Sequence, residues 1–186
     1  MHTDWGGEMA TQKLNLTSLK FEQLSDKQWN GVPIQTYYAT LPRRLEGIGI
    51  DPGRRFGIAA LLGREVWVMV GELPKEEEQW LYGVAAYDLM ATATSILEVD
   101  KVVVEGGFDG RPGATNLAYI RMGFVLGCYY MNKEVSIVAP AKIRKTVLGD
   151  GKKQGAELVS GLPDHGSDAL IAAMYAAGEK NDNNNT

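Results

Sequence analysis

Three β-rich runs follow one another with only turn residues between them: GIGID (47–51), RRFGIAALLG (54–63) and EVWVMVGEL (65–73). A Pro52-Gly53 turn separates the first two and a Gly63-Arg64 step the last two. Links this short exclude crossovers, so three consecutive antiparallel strands are expected. Past Lys75 the period changes. Leu81, Val84, Ala85, Leu89, Ala93, Ile96 and Leu97 keep a 3.6-residue rhythm, with Glu76, Glu77 and Glu78 complementing the dipole of a helix from 75 to about 99. KVVVE (101–105) reads as a strand. The glycine-rich GGFDGRPG then leads into a long apolar helix at about 114–132. VSIVA (135–139) is another strand, Pro140 suits the first turn of the next helix, and a Gly-Asp-Gly loop precedes a last helix at about 165–177.

The order β-β-β-α-β-α-β-α-α predicts an α/β domain over residues 46–178. Its mixed sheet would hold three antiparallel strands and then parallel βα units with right-handed crossovers, with helices on both faces. Residues 1–45 have weak periodicity and scattered aromatics (Trp5, Trp29, Tyr37, Tyr38) and are expected as an N-terminal extension, partly docked on the domain. The polar segment 179–186 is expected to be a disordered tail. There is no internal repeat. A chain of 186 residues, 45% hydrophobic and 23% charged, can build one core. The single cysteine, Cys128, excludes an intramolecular disulfide and is expected as a small buried hydrophobe. No basic cluster leads into a long apolar run at the N-terminus, and no stretch nears the roughly 18 apolar residues of a membrane span. A soluble, cytoplasmic protein is the expectation.

A net charge of -4 argues against a general polyanion binder. The distribution is uneven, however. Between positions 133 and 153 stand Lys133, Lys142, Arg144, Lys145, Lys152 and Lys153 against only Glu134 and Asp150. Such a patch either contacts phosphates or solvates a loop and a helix face.

Acidic residues recur where strands end and where the last helix begins. Asp51 closes the first run, Glu105 closes KVVVE, and Asp164, His165 and Asp168 surround the start of the last helix. If the first and fourth strands are neighbours, Asp51 and Glu105 leave the sheet at the same edge, where α/β folds bind ligands. His165 and Asp168, three apart, share a helix face. Carboxylates gathered this way repel, so cations must neutralise them or one must keep a proton. Oxygen ligands of this kind suit Mg²⁺ or Mn²⁺, and two such ions support an in-line phosphoryl displacement. Each residue also has a plainer reading. Asp51 opens an Asp-Pro-Gly turn, Glu105 pairs with Arg111 or Arg121, and Asp164 caps the helix. His165 is a ligand, a proton shuttle or a first-turn surface residue. Asp168 suits the helix dipole.

IGIDPGRRFGIAAL (48–61), VVVEGGF (102–108) and HGSDALIAAMYA (165–176) resemble the three acidic motifs of RuvC-type Holliday-junction resolvases, members of the RNase H-like superfamily. APAKIRKTVLGDGKK (139–153) resembles that family's basic segment. The resemblance covers roughly residues 46–178. It implies an RNase H-like fold, catalysis and metal ligation by Asp51, Glu105, His165 and Asp168, and two Mg²⁺ or Mn²⁺ ions per site. It also implies a homodimer nicking four-way DNA junctions. Lys142, Arg144, Lys145, Lys152 and Lys153 are candidate phosphate contacts, of which Arg144 and Lys152 or Lys153 lie closest to the family's basic positions. Phe108 and Arg111, on the loop beside Glu105, are candidates for stacking on or wedging at junction bases. The extension and the differently spaced basic segment depart from the family pattern and point to a phage or divergent member. Alternatives are an RNA-processing nuclease of the RuvX/YqgF group, whose opening motif is similar, and a non-catalytic junction-binding protein. An actin-like ATPase is disfavoured, since the chain is short and lacks a second glycine-rich phosphate motif.

Overall fold

In the computed structural model, residues 16–29, 31–76, 78–95, 97–106, 114–152 and 159–178 are described. After a 3₁₀ turn at Leu16–Ser18 come β1 (Glu22–Trp29), β2 (Val32–Asp51), β3 (Arg55–Glu72), α1 (Gln79–Ser95), β4 (Lys101–Glu105), α2 (Ala114–Tyr130), β5 (Glu134–Val138), α3 (Pro140–Leu148) and α4 (Asp164–Ala176). The order of elements is the expected one, but the three antiparallel strands are cut from the chain at other bounds. RRFGIAALLG and EVWVMVGEL form one 18-residue strand, β3. GIGID is only the end of the 20-residue β2, so the expected boundary after residue 45 falls inside a strand. The third strand is β1, from the segment read as an extension.

The local cause is a bulge. Gly63 takes the left-handed φ of 69° that a turn would need. Opposite it, β2 skips from Thr40 to Leu45 in the register, so the irregularity is absorbed in the partner strand and pairing resumes. The β2–β3 ribbon doubles back there. Its two far ends meet, with the Leu73 N–H donating to the Arg54 carbonyl at 2.7 Å. β1 pairs with the first half of β2 and β4 with Ile48–Ile50, both on the edge that β3 leaves open. β5 continues the sheet parallel to β4.

Helices cover both faces, as expected. α3 and α4 share one core with Leu41, Leu45, Ala59, Leu61 and Val103. α1 and α2 share the other with Ile48, Ile50, Ile58, Val102 and Val104. Strand alternation therefore decides direction. Gly49 and Asp51 have the parity of Leu45, and Glu105 that of Val103, so these positions turn toward α4. α4 comes close because glycine lines its seat: a Cβ at Gly49 would fall on Ala169 O and Ala173 N, and one at Gly57 on His165 O.

Two helix readings shift. α1 starts at Gln79, after its acidic run, and buries Tyr82, Ala86, Leu89, Met90 and Ala93. Val84, expected on the core face, is exposed. The helix is apolar enough all round that periodicity alone does not choose the face. Asp164 does not cap α4: Pro163 is the N-cap residue, no side chain caps the end, and Asp164 lies in the first turn. Pro140 does open α3. Cys128 is fully buried, and burial pushes its thiol up to about 12. Among the described residues, no helix is long and apolar enough to cross a membrane.

Candidate active site

Asp51 ends β2 and Glu105 ends its parallel neighbour β4. The register pairs Ile48 with Val102, Gly49 with Val103 and Ile50 with Val104; carried one residue further, it sets Asp51 beside Glu105. α4 brings His165 and Asp168 over the same end of the sheet. The His165 ring is hydrogen-bonded to Asp51, Nδ1 to Oδ2, at 2.6 Å across 114 residues of sequence. The four groups expected from sequence therefore converge on one edge.

The electrostatics follow from that convergence. Glu105 has a side chain only 14% exposed. Its carboxyl is pushed up to about 8, first by burial and then by the charges of Asp51 and Asp168, with Arg144 and Arg121 opposing. A group in that position keeps its proton near neutrality unless positive charge arrives. His165 is raised above the ordinary imidazole value, chiefly by its hydrogen bond to Asp51 and further by the charges of Asp51, Asp168 and Asp164, against an opposing effect of burial. The donor set, three carboxylates and an imidazole, is of the type that hard divalent cations take. Among the described residues, no three His, Cys, Asp or Glu side chains are spaced to close on one metal ion as they stand. One of the candidate donors, His165, is instead turned onto another, Asp51.

The basic residues divide into three groups. Lys142 and Lys145 are exposed on α3 and Lys152 on the following turn. Arg144 faces inward instead: its guanidinium lies 3.9 Å from Glu105 Oε1, and its Nε donates to Gly151 O at 3.3 Å. Arg144 thus stands beside Glu105, and so does the charge of Arg121, one of the two partners the sequence suggested; the other, Arg111, lies outside the described residues. Lys133 leaves the patch altogether, its partly buried amine donating to Leu97 O at 2.7 Å. Phe108, Arg111 and Lys153 lie outside the described residues. Sequence reasoning missed Arg54 and Arg55, three and four residues past Asp51. Arg54 is ion-paired with Glu72, and Arg55 Nε lies 3.3 Å from Glu72 Oε2. The signal was there, two arginines directly after the turn that carries the first acid.

No family model matches the chain, and no curated protein matches it by sequence. Solved structures do. The RuvC structure of Thermus thermophilus superposes with a TM-score of 0.56 at 18% identity, over 68% of this chain and 90% of that one. The fold is that of RuvC. A second structure, Thermus thermophilus RuvC in complex with a Holliday junction substrate, matches equally, at TM-score 0.56 and 18% identity over 68% of this chain and 89% of that one. The RuvC fold is thus nearly complete here, and about a third of the chain lies outside the match.

Proposed function

We propose that the protein is a divalent-metal-dependent endonuclease that nicks four-way or otherwise branched DNA by hydrolysing a phosphodiester. The observation that supports this most is the convergence of Asp51, Glu105, His165 and Asp168 at one end of a RuvC-type sheet, with Asp51 and His165 in direct contact. Thermus thermophilus RuvC, which shares that sheet, is found in complex with a Holliday junction.

In this reading Asp51, Glu105 and Asp168 hold the cations, and His165 joins them or carries a proton. Bound Mg²⁺ or Mn²⁺ would supply Lewis-acid activation of water and of the scissile phosphate. Glu105 would give up its proton once a bound cation offsets the charges of Asp51 and Asp168. His165 steadies Asp51 through Nδ1 and keeps Nε2 for a ligand or a proton. Exposed Lys142, Lys145 and Lys152 attract the phosphate backbone without reading sequence. Tyr119, Met122, Leu126 and Tyr130 form an exposed apolar row along α2 at helical spacing. This is the face proposed to pair with a second copy, so that two sites meet one junction.

Incubation of the purified protein with synthetic four-way junctions in Mg²⁺ and Mn²⁺ tests the activity. Paired nicks are expected, and Asp51→Asn should bind the junction while cutting it roughly 100-fold or more slowly. Intact junctions with the wild type, or undiminished cutting by Asp51→Asn, would refute the assignment.

A further inference from the structure

The doubled-back ribbon builds a groove beside the carboxylates. Its volume is about 640 Å³, and it runs from His165 and Asp164 at the start of α4 to Asp26 and Lys27 on β1. Three strands make its floor in one registered row, Lys27 beside Ile34 and Ile34 beside Gly71. Arg55 and Glu72 stand at its side. A polynucleotide is continuous, so a strand with one phosphate at the carboxylate edge must leave along the surface on both sides. This groove is one such exit, because His165 belongs both to it and to the acidic cluster.

We propose that the groove seats the sugar–phosphate backbone of the strand flanking the scissile phosphate, with Arg55 and Lys27 as phosphate contacts and Glu72 as the anion that a phosphate displaces. The inference rests on the nuclease reading above and assigns it a second contact surface, partly built by β1. The observation behind it is that two arginines converge on one partly exposed carboxylate beside the acidic cluster. Arg55 is 68% exposed and Glu72 37% exposed in their side chains, so the pair can open without unpacking the core. A carboxylate held by a guanidinium fork occupies the geometry that phosphate oxygens use. The acids of the groove are each placed beside a donor or cation: Asp26 accepts from Gln23 at 2.8 Å, Glu72 lies on both arginines, and Asp164 neighbours His165. Displacing Glu72 changes the balance in favour of an incoming anion.

The alternative is that Arg54, Arg55 and Glu72 only latch the two ends of β3 together. The two readings differ in sign. Affinity for a fluorescent four-way junction would be measured by anisotropy in EDTA, where no cutting occurs, across a sodium chloride series. Arg55→Ala should weaken binding roughly threefold to tenfold and lower the salt slope by about one. Glu72→Gln should tighten binding roughly twofold to fivefold beyond the effect of Glu65→Gln, a like charge change on the distant part of β3. Thermal unfolding of each variant is recorded alongside, and Lys27→Ala repeats the first test on β1 should Arg55→Ala be unstable. Unchanged affinities, or parallel losses of affinity and melting temperature in Arg55→Ala and Glu72→Gln, overturn the groove as a binding surface. A wild type that binds no junction at any salt overturns the nuclease reading itself.

Discussion

Glu105 shows at a single residue what the site requires. Its carboxyl is held up to about 8 by burial and by Asp51 and Asp168, whereas in the unfolded chain it would titrate near 4.5. The metal-free folded state therefore binds a proton that the unfolded state has released, and stability contributed at pH 4 is lost as pH rises toward 8. The raised imidazole of His165 acts in the same direction, contributing below about 6.5 and losing its effect as pH passes its higher folded value. Metal-free melting temperatures should thus fall by roughly 5 °C between pH 5 and pH 8.5. Glu105→Gln should flatten most of that decline, as differential scanning calorimetry in EDTA would show. A wild type equally stable across the range would contradict the placement of Glu105. The acids themselves were readable in the sequence because each ends a strand or opens a helix. The inward turn of Arg144 was not, since a helix in a basic segment gives no sign of which cation faces a carboxylate 39 residues earlier.

At the scale of elements, the site depends on how closely α4 approaches the sheet. Gly49 and Gly57 leave that room, and Ala169, Ala172 and Ala173 meet them. Gly49→Ala should therefore cost about 3 kcal/mol in urea unfolding, an overpacking penalty, because its Cβ would meet helix backbone rather than a movable side chain. A midpoint equal to wild type would contradict the packing. The sequence made the βα units plain through changes of period, and their order holds. It misplaced the antiparallel strands, because Gly63-Arg64 carries the chemistry of a turn while its partner strand absorbs the bend as a bulge. Residues 22–45 concealed β1 and most of β2. Their polar, bulged pattern lacks the strict alternation by which a strand announces itself.

For the whole molecule, two devices lie outside the acidic cluster: the ribbon that returns over α4, and the apolar row on α2. Five large side chains along α2, Tyr119, Met122, Leu126, Tyr129 and Tyr130, are more than two-fifths exposed. Pairing with a second copy through that face predicts a dimer by sedimentation velocity, and Met122→Glu with Leu126→Glu should shift it to monomer without loss of secondary structure. A wild type that stays monomeric at micromolar concentration would remove the face from the account. In the proposed reading, the fold, the acidic edge and the α2 row belong to a molecule that holds cations against a DNA backbone.

The most direct test of that description is calorimetric titration of Mn²⁺ at pH 8 into the wild type, Asp51→Asn and Glu105→Gln. Saturable binding by the wild type is expected, with proton release set by Glu105, together with at least about tenfold weaker binding in both variants. Equal heats in all three proteins, or no binding to the wild type, would mean that the carboxylates at the ends of β2 and β4 do not form a metal site.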